Sequence, residues 1–261
     1  MVITSPPAGL IGVTNPHEDK RWILSGPNPG AEGKCSIMFL GALRSIALLG
    51  AHCDDIAIGA GATLDQLCRA HPGVRVDALV LSGAGTPREQ EEHSALTAFC
   101  PGAELNLRVD ALPDGRQPAA WESAKSAVAE FRRAVEPDLV IGPQRGDAHQ
   151  DHRQLAELIS QEFRDHLVLG YEIPKYEGDL PNVNAYVPVT QDSKERKVEL
   201  LHRHYPSQHD RTWFDADTFS GLMRVRGVQS QTRWAEAFVA EKLLIEIPAV
   251  DPSKIVEARN I

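Results

Sequence analysis

From Ser45 onward, short apolar runs alternate with longer amphipathic segments, whereas the first 33 residues show neither a strand period nor a helical one. The runs predict strands at Ile46 to Leu49, Arg75 to Ser82, Glu104 to Val109, Asp138 to Gly142 and Leu167 to Tyr171. Between them, helical stretches are expected near Gly59 to Ala70, Pro87 to Phe99, Trp121 to Val135 and Asp151 to Arg164. This alternation is the signature of βαβ units, so an α/β fold with a mostly parallel sheet is expected. After Tyr171 the pattern weakens into a turn-rich segment ending in a strand near "AYVPV" and a charge-paired helix in "DSKERKVELLHRHY". A last helix is expected in "DADTFSGLMRVRG", with Asp215 as its cap and Gly227 as its stop. The Pro/Gly-rich start reads as an extended arm over residues 1–36, which could wrap the domain or a neighbouring subunit, ahead of a single domain over 37–261.

Composition narrows the function classes. The net charge of −9 argues against a nucleic-acid binder, which normally carries a basic patch to neutralise phosphates. The four cysteines, Cys35, Cys53, Cys68 and Cys100, form no CxxC pair, so reduced thiols and a cytoplasmic location are expected. The apolar stretch after Lys34 starts too late for a signal peptide and is interrupted by Arg44, so it reads as a lead-in to a buried strand, with no membrane span.

Chemistry enters at two predicted strand ends. The first strand runs directly into His52, Cys53, Asp54 and Asp55, and the strand from Asp138 runs into Asp147, His149, Asp151 and His152. A parallel sheet brings both ends to one edge, where open α/β sheets bind their ligands. Catalytic zinc takes three protein ligands from His and Asp/Glu and leaves one position for water, whose pKa falls to about 7. A His and an Asp from the first cluster with a His from the second would supply the ligands. A further carboxylate and imidazole would remain for proton transfer and oxyanion stabilisation. The residue types leave open whether Asp54 or Asp55 binds the metal. "GAGAT" at Gly59 and "GAG" at Gly83 lack the third glycine of a dinucleotide fingerprint, because position 88 is Arg88. Cys53 as a nucleophile is disfavoured by its place beside His52, since adjacent residues on an extended stretch point apart.

The motifs "AHCDD" (Ala51 to Asp55) and "HQDH" (His149 to His152), with "GAGATL", "LSGAGTPRE" and "AEAF", resemble the PIG-L/LmbE-like family of zinc-dependent N-acetyl sugar deacetylases over about Ile46 to Leu244. The resemblance implies a Rossmann-like three-layer αβα fold. It further implies zinc, or ferrous iron, held by His52, Asp55 and His152, with Asp54 as general base. By the same resemblance, His149 stabilises the oxyanion and helps protonate the departing amine, and Asp151 holds and polarises its ring. Arg88 matches an arginine at the substrate rim, and Asp147, Glu172 and Lys175 are expected near the substrate. The sequence departs from the family at Cys53, Ile56, Ala57 and Gln150, none of them an inferred ligand. The implied function is removal of an acetyl group from an N-acetylated sugar or glycoconjugate, in natural-product or cell-surface glycan biosynthesis. The alternatives are an amidase acting on a larger amide or thiol conjugate, and a non-catalytic sugar binder.

Overall fold

A computed structural model describes residues 40–244 and, as backbone, the two short strands β1 (Ile23–Ser25) and β2 (Ile37–Phe39). The chain divides into two units, Met1–Ala42 and Leu43–Ile261. In the first, β1 and β2 pair antiparallel, Ile23 opposite Phe39. The rest of the expected arm over 1–36 lies outside the described residues.

In the second unit the elements follow in chain order: β3 (Ser45–Gly50), α1 (Asp55–Ala70), β4 (Arg75–Val80), α2 (Pro87–Phe99), β5 (Glu104–Val109), α3 (Trp121–Ala134), β6 (Leu139–Pro143), α4 (Gln150–Glu162) and β7 (Leu167–Tyr171). They continue with β8 (Ala185–Val189), α5 (Gln191–His204), α6 (Ala216–Gln229) and β9 (Trp234–Ala240). One seven-stranded sheet has the order β5-β4-β3-β6-β7-β9-β8. From β5 to β7 in that order the strands are parallel, and β9 pairs antiparallel with both β7 and β8.

The central strands are apolar without alternation because both their faces are covered. Ala47 and Leu49 of β3 join Val128 and Phe131 of α3 and Leu155 and Ile159 of α4 in one core. On the opposite side α1 packs against α2 and α5. The architecture is therefore the α/β three-layer fold expected, with helices on both faces of a mostly parallel sheet. Among the described residues, no helix is long and apolar enough to cross a membrane.

Strand order decides where a site can form. β3 lies between β4 and β6, so the chain leaving β3 turns one way through α1 and the chain leaving β6 turns the other way through α4. The two connections part at the carboxyl ends of adjacent strands, which opens a crevice there. Both sequence clusters sit on that edge.

Several expected boundaries shift. The first helix starts at Asp55 rather than Gly59, and the fourth at Gln150 rather than Asp151, so both clusters occupy helix N-termini. Gly227 does not stop α6, which continues to Gln229. Its lack of a side chain serves close packing, because a Cβ there would stand 2.6 Å from the carbonyl oxygen of Arg233. Asp215 caps α6 as expected, accepting from the Thr218 amide at 2.7 Å.

Candidate metal centre

Three donor groups converge in the crevice. His52 Nδ1 lies 3.1 Å from His152 Nε2, His152 Nε2 lies 3.2 Å from Asp55 Oδ1, and His52 Nδ1 lies 3.6 Å from Asp55 Oδ2. Ligands bound to zinc at 2.0–2.1 Å in a tetrahedron stand about 3.3 Å apart, so this spacing fits a tetrahedral ion. The backbone sets Asp55 in place: its Oδ2 accepts from the amides of Ala51 at 3.0 Å and His52 at 2.9 Å.

The far side of each imidazole is held by a carboxylate. His52 Nε2 contacts Asp151 Oδ2 at 3.0 Å and Asp114 Oδ1 at 3.1 Å, and His152 Nδ1 contacts Asp147 Oδ2 at 3.0 Å. A neutral imidazole with its one N–H directed at a carboxylate presents a lone pair from the other nitrogen. Two such lone pairs 3.1 Å apart, with a carboxylate beside them, repel unless positive charge lies between them. A divalent cation supplies that charge when bound, and otherwise protons must. His152 is accordingly raised to about 9: burial alone would lower it, but Asp55 and Asp147 outweigh burial. His52 is raised well above its ordinary value, burial being outweighed by hydrogen bonds to Asp114, Asp151 and Asp55. Asp55 is held well below the carboxylate range, its burial overcome chiefly by His152.

Two further triads bring donor atoms within 4.8 Å of one another: His52 with His149 and His152, and His52 with Asp114 and Asp151. In the second, the buried Asp151 is already engaged by backbone, since Oδ2 accepts from the Gly115 amide and Oδ1 from the Gln117 amide, at 2.8 and 3.1 Å. It fits as the group that fixes His52, with both oxygens engaged.

The remaining expected residues fall into distinct positions. Asp54 sits beside the donor set with Oδ2 2.8 Å from Arg88. Burial raises its carboxyl to about 6, against the opposing pull of Arg88. Arg88, partly exposed, therefore pairs with Asp54 and also donates to the Cys53 carbonyl. His149 caps α4, its Nδ1 accepting from the Asp151 amide at 3.3 Å, which leaves the proton of the neutral ring on Nε2. Its ring stands 4.8 Å from that of His52 and 4.7 Å from that of His152, centroid to centroid.

Several expectations are corrected here. Asp151 gives His149 its backbone amide, while its carboxylate goes to His52 and the Gly115–Gln117 turn. His149 is lowered, first by burial and then by the charges of His152 and His52, rather than raised by a carboxylate. Asp147 is 1% exposed and lies behind His152, where it also accepts from the His149 amide at 2.7 Å, so it supports that imidazole. Lys175 reaches Asp147 at 3.0 Å and Asp179 at 2.8 Å. Glu172 is buried in an ion pair with Arg226. The Cys53 thiol is buried, donates to the Ser82 carbonyl at 3.4 Å and is pushed far up by burial, so it is no nucleophile.

Sequence reasoning missed Asp114 and Glu92. Asp114 lies in the Pro-Asp-Gly turn after β5, a third strand end on the same sheet edge, and that placement was its available signal. Glu92, fully buried on α2, accepts from the Asp54 amide at 2.7 Å and had no local signal.

A profile of the PIG-L family, described as GlcNAc-PI de-N-acetylase, matches residues 47–163. Among solved structures, the chain is similar to N,N'-diacetylchitobiose deacetylase from Pyrococcus horikoshii (TM-score 0.60, 18% identity, 75% of this chain and 83% of that one). It is also similar to teicoplanin deacetylase Orf2 in a zinc-inhibited form (TM-score 0.57, 16% identity, 74% and 96%). A third likeness is to GalB, the 4-carboxy-2-hydroxymuconate hydratase from Pseudomonas putida KT2440 (TM-score 0.63, 13% identity, 79% and 100%). At these identities the likenesses establish the shared fold.

Proposed function

Taking as premise that residues 47–163 form a domain of the PIG-L family, we propose that the chain is a metal-dependent hydrolase that removes the acetyl group from an N-acetylated amino sugar or glycoconjugate of the N-acetylglucosaminyl type. The observation that carries this reading is the pair of imidazole nitrogens facing each other at 3.1 Å beside Asp55, each ring backed by a carboxylate. His52, Asp55 and His152 would hold the ion, with zinc or ferrous iron as candidates for this nitrogen and carboxylate set. When bound, such an ion supplies Lewis acidity that activates a water and polarises an acyl carbonyl.

The protein groups account for the proton movements. Asp54, anionic above pH about 6, takes a proton from the attacking water as its oxygen bonds to the acetyl carbon. Arg88 keeps that carboxylate oriented and ionised. His149, kept neutral by burial and by the positive charge gathered at the His52 and His152 donor set, donates its Nε2 proton in a hydrogen bond to the oxygen on which charge develops. As the carbon–nitrogen bond breaks, the proton collected by Asp54 passes to the nitrogen, releasing acetate and a free amine. The sugar class is supported by the family description and by the amino-sugar substrate in the name of the Pyrococcus relative.

The test is acetate release from a panel of N-acetylated sugars, nucleotide sugars and glycosylated natural products, set beside the same compounds with bulkier acyl groups. The expected result is release from at least one N-acetyl compound and much slower hydrolysis of its bulkier analogue. Preference for the bulkier acyl group would favour an amidase on larger conjugates and defeat the deacetylase reading.

A further inference from the structure

Asp54 is one of only two non-glycine residues among the described ones with a positive φ, at 102°. Its side chain makes no capping bond to α1, so the left-handed conformation is held from outside the helix. Two residues of α2, one turn apart, do this. Arg88 pairs with the Asp54 carboxylate and donates to the preceding carbonyl, that of Cys53. Glu92 takes the Asp54 amide on Oε2 at 2.7 Å, and the same oxygen accepts from the Tyr205 hydroxyl, also at 2.7 Å. Glu92 and Tyr205 are both fully buried, so neither bond competes with water.

We propose that Glu92, locked by Tyr205, is a positioning residue that holds Asp54 in the left-handed conformation from which its carboxylate acts. The inference rests on the assignment of Asp54 as base. Glu92 hydrogen-bonds the Asp54 amide and the Tyr205 hydroxyl, and so acts through the Asp54 peptide. Its second oxygen, Oε1, is buried without a partner. That asymmetry says what the position requires: one acceptor oxygen for two donors and no ion-pair partner. Burial accordingly pushes the Glu92 carboxyl up to about 8, so near neutral pH it carries a proton and Oε2 serves as a neutral acceptor. A glutamine offers the same single acceptor, whereas a leucine of similar bulk offers none.

Crystal structures, metal content and steady-state kinetics of Glu92→Gln, Glu92→Leu and Tyr205→Phe test this. Glu92→Gln is expected to keep the positive φ at Asp54 and kcat within about threefold of the parent. Glu92→Leu is expected to release Asp54 to negative φ and lower kcat roughly 10²-fold, with KM and metal content unchanged, the size of effect that a misplaced catalytic group produces. Tyr205→Phe, which leaves Glu92 in place, gives a smaller loss in kcat alone and serves if the leucine variant does not fold. Asp54 still at positive φ with parental kcat in Glu92→Leu or, failing that variant, in Tyr205→Phe would overturn the proposal. Should the parent release no acetate from any compound, the deacetylase reading fails, while the conformation of Asp54 in the variants still decides the role of Glu92.

Discussion

His52 and His152 are single-purpose side chains because each has one nitrogen committed to a carboxylate. In the proposed site Asp147 and Asp151 would donate no ligand atom; they fix ring orientation and which nitrogen is free. Asp147→Ala is expected to weaken metal binding about 10- to 100-fold, measured by competition with a chelator, and unchanged affinity would contradict the arrangement. Asp55→Ala removes a donor outright and should leave the protein without stoichiometric metal by elemental analysis. Glu92 adds a pH dependence of stability. Its carboxyl titrates near 8 when folded against an ordinary glutamate value of 4.5, so its contribution is fully present below 4.5. As pH rises, the unfolded chain ionises while the folded one does not, and the contribution is lost through pH 8. Thermal melts from pH 5 to 8 should therefore fall less steeply for Glu92→Gln than for the parent, and equal slopes would refute the assignment. The donor residues were legible as two His/Asp clusters. The carboxylate pairings were not, because the partner of Asp151 is settled by the Gly115 and Gln117 amides, more than thirty residues away.

Helix α1 carries Asp55 at its start and is clamped in its middle. Glu236 of β9 accepts from the Ala62 and Thr63 amides at 3.0 and 2.6 Å, while Lys197 of α5 donates to the Ile58 carbonyl and to Glu236, both at 2.5 Å. Lys197 and Glu236 are both buried, so Glu236→Ala strands a buried ammonium and should cost about 3–5 kcal/mol in urea unfolding. A loss below 1 kcal/mol would show that the clamp is dispensable. Gly59 lies against β7: a Cβ there would stand 2.4 Å from the Tyr171 ring, whose hydroxyl bonds the Leu49 carbonyl at 2.9 Å. Gly59→Ala is therefore expected to destabilise by about 1–3 kcal/mol through overpacking. The elements themselves were readable where a local signal is strong, as in Pro87–Phe99 with its Thr86 cap and leading proline, and in Glu104–Val109 and Leu167–Tyr171 with their strand patterns, and these bounds agree with the expected ones. β9 was not drawn from its pattern. Glu236 interrupts its apolar run, and only its long-range partners in α1 and α5 make a buried carboxylate compatible with a central strand.

Strand order explains why two clusters nearly a hundred residues apart make one site, since β3 and β6 are neighbours whose connections diverge at the same edge. That much followed from the βαβ pattern, because a parallel sheet directs all its carboxyl ends one way. The reaction does not follow from architecture, given that a hydratase and two deacetylases share the fold at 13–18% identity. It rests on the convergence of His52, Asp55 and His152, with Asp54 beside them. The most direct test measures metal content and acetate release together in the parent protein and in Asp54→Asn. The account predicts about one ion per chain in both, with turnover in the variant reduced ~10²- to 10⁴-fold. Parental turnover in Asp54→Asn, or loss of its metal, would contradict the division of labour between Asp54 and Asp55.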